Sequence, residues 1–216
     1  MRPARLLACT AAVAAFALAP SATAAGKVCN LVVDAKGDQR MAGNHTPDGV
    51  YESPDQDVLS GDIASNKRYV TAVIRLASLR DVDTDVPTGR TYVAAFRVGA
   101  TQYSMQAIYG VDSRSGSATN NTTGAGLGSV GVVWDFQARE VRMTAPVSYF
   151  GLKPGARVSG LTLSAGYHFG SGGVSVGAVP GFGAYAGAFG ADSEGDVATT
   201  TRVYVAGTPS CVGVAR

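Results

Sequence analysis

Acidic side chains that share short turns are the residues of this 216-residue chain best suited to chemistry. They form three clusters, within residues 34–38, 55–62 and 192–196. Carboxylate oxygens on flexible loops are the ligands that calcium prefers, although none of these clusters has the ordered spacing of an EF-hand loop. Aspartate and glycine also favour turns for conformational reasons and for solubility, and this interpretation stays open. The clusters predict a calcium site with the ligands Asp34, Asp38, Asp57 and Asp62.

Catalytic groups are scarce in the sequence. After the N-terminal segment the chain has two histidines, His45 and His168, and it has no G-x-S-x-G turn to present a nucleophilic serine. The run GSGG at residues 170–173 is similar to the serine motif of chymotrypsin-like proteases but lacks its acidic residue. A pair of carboxylates could hydrolyse glycosides if a cleft held them at the correct separation. We therefore predict no enzyme and no catalytic residue, with a carboxylate-pair hydrolase as the alternative.

A glycine-rich segment, residues 166–195, contains ten glycines interleaved with aromatic residues. This glycine content disfavours a regular strand or helix and predicts a long loop. Loops of such length are often either functional or disordered. One interpretation is a mobile loop that its aromatic side chains pin to the domain. The other is a ligand-binding loop that presents Tyr167, Phe182 and Tyr185 as stacking surfaces.

The first 24 residues have the three parts of a secretory signal peptide. Arg2 and Arg5 precede an apolar run at residues 6–19, and Ala22-Thr23-Ala24 forms a cleavage site. The apolar run is shorter than the roughly 20 residues that a membrane-spanning helix needs, so we predict no membrane span. Lipoprotein processing at Cys9 is disfavoured because the apolar run continues beyond it. The segment predicts a secreted protein, either extracellular or associated with the cell surface.

Cleavage after Ala24 changes both the charge and the cysteine count. The whole chain has 18 basic and 16 acidic residues, and loss of two arginines leaves equal numbers of each. A neutral domain without clustered basic residues does not predict binding to nucleic acid. Cys29 and Cys211 remain as a pair, which predicts a disulfide in an oxidising compartment. That bridge would join the two ends of a single domain, residues 25–216.

Apolar and polar residues alternate along several segments, which is typical of half-buried β-strands. Residues 70–76 show this pattern, as do residues 91–98 and 102–109. Trp134 alternates in phase with Val132 and Phe136, which favours core packing over a role in sugar stacking. No long helical period follows the signal segment. The pattern predicts an all-β domain, with an antiparallel, jelly-roll-like β-sandwich as the first choice and a barrel as the second.

Several short motifs of the sequence resemble those of a known type of β-sandwich module. D-x-x-G-D at residues 34–38, D-x-x-x-x-D-I-A at residues 57–64, the Pro154-Gly155 turn and the C-terminal Cys211 resemble a secreted bacterial β-sandwich module. The arrangement is similar to DOMON-like and carbohydrate-binding domains, which implies ligand binding without catalysis. The chain departs from sugar-binding members because it lacks an evident exposed tryptophan platform.

The predicted function is therefore non-enzymatic binding by a secreted or cell-surface-associated protein. Its partner would be an extracellular ligand, either a glycan or a protein. The alternatives are the carboxylate-pair hydrolase and a purely structural envelope protein.

Overall fold

The computed structural model describes residues 27–38, 54–81, 89–110, 114–169, 173–174 and 196–214. Within these ranges the chain forms β-strands and one turn of 3-10 helix, Val147–Phe150. The strands are β1 (Val32–Val33), β2 (Val58–Ser65), β3 (Tyr69–Leu76), β4 (Gly89–Val98), β5 (Thr101–Gly110), β6 (Arg114–Asn120), β7 (Ala125–Ser129), β8 (Gly131–Asp135), β9 (Glu140–Pro146), β10 (Arg157–Phe169), β11 (Gly173–Val174), β12 (Asp196–Thr199) and β13 (Tyr204–Val205).

The strands form two antiparallel sheets that pack against each other. The first sheet has the order β1-β2-β3-β9-β8. The second has the order β11-β10-β4-β5-β6-β7, and β12 and β13 also pair with β10. Neither order closes on itself, so the described strands form a sandwich and not a barrel. The predicted all-β sandwich is confirmed.

Strand β10 organises one side of the second sheet. One of its edges pairs with β4 along most of its length. Its other edge is shared by three short strands: β13 pairs near Arg157, β12 pairs with residues 162–165, and β11 pairs near Phe169. The C-terminal part of the chain thus returns to the sandwich along β10, which brings Asp196 to the side of the molecule where β1 and β2 lie.

The core lies between the sheets, and its members alternate along β3 and β4 as predicted, although the residues between them are also largely buried. Ala72 and Ile74 on β3 have no exposed surface, and Tyr92 and Phe96 on β4 are also fully buried. Trp134 is half-buried and packs edge-on against Tyr92 and Tyr109, with ring centroids 5.7 and 5.0 Å away, in agreement with the predicted packing role.

A disulfide between Cys29 and Cys211 confirms the predicted pairing. The two Cα atoms are 5.2 Å apart, and the bridge spans 182 residues of sequence. Beside it, Val28 and Ser210 form a parallel bridge, and the Cys211 amide donates to the Val28 carbonyl at 3.0 Å. The residues before β1 and after β13 are thereby joined.

The glycine-rich segment does not begin as a loop at Gly166. Strand β10 continues to Phe169, and β11 pairs back onto it, so the predicted start of the loop is wrong by four residues. The physical reason is that β4 supplies a partner strand: Gly166 lies opposite Thr91, and Tyr167 lies opposite Arg90. Residues 175–195 and the predicted signal peptide, residues 1–24, lie outside the described residues.

Within the described ranges, no helix is both long enough and apolar enough to cross a lipid bilayer.

Candidate metal centre

Three aspartates from distant parts of the sequence meet at the edge of the sandwich. Asp34 follows β1, Asp38 lies in the turn beyond it, and Asp196 is the first residue of β12. One carboxylate oxygen of each lies within 4.8 Å of the others. Since β1 belongs to the first sheet and β12 pairs with β10 of the second, this cluster bridges the two sheets.

Hydrogen bonds to the backbone of β2 hold two of the three aspartates in place. The Asp34 amide donates to the Leu59 carbonyl at 3.0 Å, which extends the pairing of β1 with β2. The Val58 amide, at the start of β2, donates to Asp196 Oδ2 at 2.6 Å. The cluster is thus built on strand ends that the sandwich itself positions, and Asp38 forms its exposed side.

A fourth carboxylate, that of Asp57, lies beside these three, although its oxygens are not within 4.8 Å of all of them. Its Oδ2 accepts a hydrogen bond of 2.9 Å from the amide of Gly37, the residue before Asp38. Gly37 adopts a φ of +81°, which glycine tolerates and which the turn between Asp34 and Asp38 requires. Asp57 is 1% exposed, and its other oxygen, Oδ1, has no hydrogen-bond partner among the described residues. We refer to Asp34, Asp38, Asp57 and Asp196 as the carboxylate cluster.

Burial and mutual repulsion raise the pKa of three of these carboxyl groups. Burial raises the pKa of Asp196 to about 7, and the charges of Asp34 and Asp38 add to this effect. The pKa of Asp34 is raised by burial and by the charges of Asp38 and Asp57. Burial, followed by the charge of Asp38, raises the pKa of Asp57, although the Gly37 amide opposes this.

Arginines neutralise neighbouring carboxylates but not this cluster. The buried Asp55, two residues before Asp57, pairs with Arg80 at 2.9 Å and Arg90 at 2.8 Å. Among the described residues, no member of the carboxylate cluster forms an ion pair. Buried carboxylates are normally paired with a cation or coordinate a metal. The carboxylate cluster therefore has the charge and the free oxygens to bind a cation.

Asp62 lies apart from the cluster, and its predicted role as a calcium ligand stays a prediction. Its carboxylate contacts Arg75 Nη1 at 2.8 Å and accepts a hydrogen bond of 2.8 Å from the Leu31 amide. Asp62 alternates along β2 with Ile63, which points into the core. Because successive side chains on a strand point to opposite faces, Asp62 lies on the outer face of the first sheet. An arginine there already neutralises it.

Asp196 was absent from the predicted ligand set, although it lies in the third acidic cluster of the sequence. Its position follows from the pairing of β12 with β10, a contact between segments that are distant in sequence. The acidic cluster at residues 192–196 is the sequence signal from which Asp196 could have been predicted as a ligand. The other acidic residues of that turn, Asp192 and Glu194, lie outside the described residues.

The side chains of the other predicted site residues lie outside the part of the chain that the structure describes. The backbones of Tyr167 and His168 belong to β10, and their side chains are not described. Phe182, Tyr185, His45 and the GSGG run from Gly170 lie wholly or largely outside the described residues. The predicted ligand-binding role of Tyr167, Phe182 and Tyr185 stays a prediction.

The chemistry of the donor set favours calcium among the common cations. Calcium accepts six to eight oxygen ligands in flexible geometry, at about 2.3–2.6 Å, so ligands on opposite sides of the ion lie about 5 Å apart. The oxygen separations of Asp34, Asp38 and Asp196 fall within this limit. Magnesium requires a tighter octahedron and usually keeps several water ligands. Zinc prefers nitrogen and sulfur ligands, which the carboxylate cluster does not offer.

Comparison with known proteins does not assign a family. No protein-family model matches the chain, and no curated protein or solved structure shows significant similarity to it. The resemblance to DOMON-like and carbohydrate-binding modules thus stays a prediction from short motifs.

Proposed function

We propose that this protein is a secreted, non-enzymatic β-sandwich that binds calcium through the carboxylate cluster. One observation carries the proposal: carboxylates from both sheets converge, and neither Asp34 Oδ2 nor Oδ1 of the buried Asp57 has a hydrogen-bond partner among the described residues. Leaving a buried charged oxygen unsatisfied is costly, whereas a bound cation would satisfy it. The predicted export of the chain is consistent with calcium binding, because extracellular modules use sites with dissociation constants of about 0.1–1 mM.

In this proposal the cation has a structural role. Strand β1 has two residues and lies at the edge of the first sheet. The disulfide at Cys29 holds the chain before β1, and the cluster at Asp34 lies at its other end. A calcium ion would therefore fix β1 to β12 and would link the two sheets at the same edge. A rigid edge of this kind suits a protein that presents a surface to an extracellular glycan or protein.

The carboxylate-pair hydrolase is a second candidate, since the same geometry contains its essential feature. A carboxyl group with a pKa of about 7, such as Asp196, can act as a general acid near neutral pH while a neighbour stays ionised. However, one oxygen each of Asp34, Asp57 and Asp196 accepts a hydrogen bond from a backbone amide. Such contacts suit carboxylates that are held still around an ion. The structural envelope protein, as a third candidate, predicts self-association without any ligand.

Thermal unfolding in calcium and in chelator tests the proposal. At 10 mM calcium, a site with the dissociation constant given above should stabilise the folded state by about 1.4–2.7 kcal/mol. For a domain of this size the melting temperature should rise by about 3–10 °C. The variant Asp57→Asn should lose most of this rise. Asp135→Asn is the matched control, because Asp135 only accepts a hydrogen bond from the Ala138 amide in a turn.

The result also separates the candidates. An unchanged melting temperature in calcium and chelator would reject the calcium site. Hydrolysis of a glycan by the metal-free protein, abolished by Asp196→Asn, would favour the hydrolase. Self-association that depends on protein concentration, but not on calcium or glycans, would favour the envelope protein.

A further inference from the structure

A cavity of about 350 Å³ lies at the opposite end of β2 from the carboxylate cluster. Asp57 and Val58 mark the cluster end of this strand, whereas Ser65 lies at the cavity end. Three turns surround the cavity: the hairpin between β2 and β3, the segment that follows the 3-10 turn, and the turn after β13. The cavity shares no residue with the carboxylate cluster, so what it binds is independent of the proposed calcium site.

Hydrogen bonds between these turns make the cavity wall rigid. The Ser65 amide donates to the hydroxyl of the fully buried Tyr204 at 2.8 Å, and the Gly207 amide donates to Ser65 Oγ at 3.0 Å. On the other side, the Leu152 amide donates to the Val147 carbonyl at 3.1 Å. A cavity whose walls are fixed in this way needs little reorganisation to accept a ligand.

The lining combines apolar residues with two exposed lysines. Val147, Leu152 and Ala206 supply apolar surface, and Leu152 and Ala206 are themselves buried. Lys67 and Lys153 are exposed, and neither forms an ion pair with another described residue. The lining residues include no carboxylate. Two of the four lysines in a chain of nearly balanced charge therefore meet at one apolar cavity.

We propose that this cavity binds a small amphiphilic carboxylate, such as a medium-chain fatty acid. Its apolar chain would contact Val147, Leu152 and Ala206, and its carboxylate would lie between Lys67 and Lys153. The charge selects an anion over a neutral or cationic amphiphile, because the lining offers two ammonium groups and no acid. The cavity volume lies near the lower limit of small-molecule sites, about 300 Å³. It therefore favours a chain of about eight carbons over a long-chain fatty acid.

Calorimetric titration of the mature protein with octanoate tests this proposal. Octan-1-ol and octylammonium are the matched probes, which keep the apolar chain and remove or reverse the charge. Octanoate should bind at least tenfold more tightly than either. Lys67→Met and Lys153→Met keep an apolar stem but lose the ammonium group. Each should weaken octanoate binding about fivefold, the effect of one charge pair at about 4 Å in water.

Two controls make a negative outcome informative. Lys27→Met removes an exposed lysine that does not line the cavity and should leave octanoate binding unchanged. Asp57→Asn should also leave it unchanged, so a failed calcium site would not affect this result. Equal affinity for octanoate and octan-1-ol, unchanged affinity in both cavity variants, or no heat of binding at 10 mM octanoate would overturn the proposal.

Discussion

At the scale of single residues, the contrast between Asp55 and Asp57 defines the candidate site. Both are buried acids in the same short turn before β2. Asp55 pairs with two arginines, whereas Asp57 accepts a hydrogen bond from the Gly37 amide and pairs with no arginine among the described residues. Residue type and burial alone do not distinguish the two acids. The difference lies in the cations that surround them, and those cations come from strands distant in sequence.

Asp196 gives the metal-free protein a characteristic pH dependence. Its folded-state pKa of about 7 lies above the ordinary value of 3.8, so the folded state holds this proton more tightly than the unfolded state. The resulting stabilisation is fully present below pH 3.8 and is lost as the pH rises through about 7. We predict that the free energy of unfolding in EDTA falls between pH 5 and 8, as measured by urea denaturation.

The variant Asp196→Asn provides the control for this pH dependence. The amide keeps an oxygen for the Val58 amide, as in the native contact, but it cannot ionise. The fall in stability between pH 5 and 8 should therefore be much smaller in the variant. A wild-type protein whose stability in EDTA rises over this interval would contradict the assignment of a raised pKa to Asp196.

Asp62 should affect stability without affecting calcium. In Asp62→Ala, Arg75 loses a carboxylate partner at 2.8 Å, and the Leu31 amide loses its acceptor. Hydrogen bonds to charged groups contribute about 1.5–3 kcal/mol each, so we expect the free energy of unfolding to fall by at least about 1.5 kcal/mol. The rise in melting temperature on adding calcium should equal that of the wild type. Loss of the calcium response in Asp62→Ala would return this residue to the ligand set.

At the scale of elements, the sequence predicted strands more reliably than it predicted their partners. The strand in residues 70–76 could be predicted from the local alternation of apolar and polar residues, and β3 covers these residues, although both of its faces are largely buried. The extension of β10 to Phe169 depends on β4, which lies far away in sequence and supplies hydrogen bonds that override the glycines. The place of Asp196 depends on the pairing of β12 with β10. The acidic segments could therefore be located from the sequence, whereas the pairing that brings Asp196 beside Asp34 and Asp38 could not.

Strand β1 should be the element most sensitive to calcium. The Leu31 and Asp34 amides are hydrogen-bonded to Asp62 and Leu59, while the disulfide and the carboxylate cluster lie at the two ends of the strand. We predict that calcium removal accelerates amide hydrogen exchange in residues 31–34 by about ten- to a hundredfold, the change that the expected calcium stabilisation supports. Cys29→Ser with Cys211→Ser should make this acceleration larger.

Strand β5 is the internal control for this exchange experiment. It lies between β4 and β6 in the second sheet and contributes no residue to the cluster. Its amides that exchange through local opening should keep the same rate with and without calcium, and those that exchange only through global unfolding should accelerate by no more than the loss of calcium stabilisation predicts. No acceleration in β1 would contradict the structural role of the cation.

At the scale of the whole molecule, the disulfide and the carboxylate cluster hold the same edge of the sandwich. The disulfide closes a loop of 182 residues, and the chain-entropy model assigns about 5 kcal/mol to a loop of that length. The cluster joins the first sheet to β12 and thereby to the second sheet. The sandwich and the disulfide could be predicted from local alternation and from cysteine number. The meeting of acids at one edge could not, because it depends on how both sheets fold together.

Calorimetric titration of calcium into the metal-free, disulfide-bonded protein tests the central claim most directly. We predict one calcium ion per chain with a dissociation constant of about 0.1–1 mM for the wild type and for Asp135→Asn. Asp57→Asn and Asp196→Asn should each bind at least tenfold more weakly while remaining folded. Absence of binding by the wild type, or equal binding by all four proteins, would contradict the assignment of the carboxylate cluster as a calcium site.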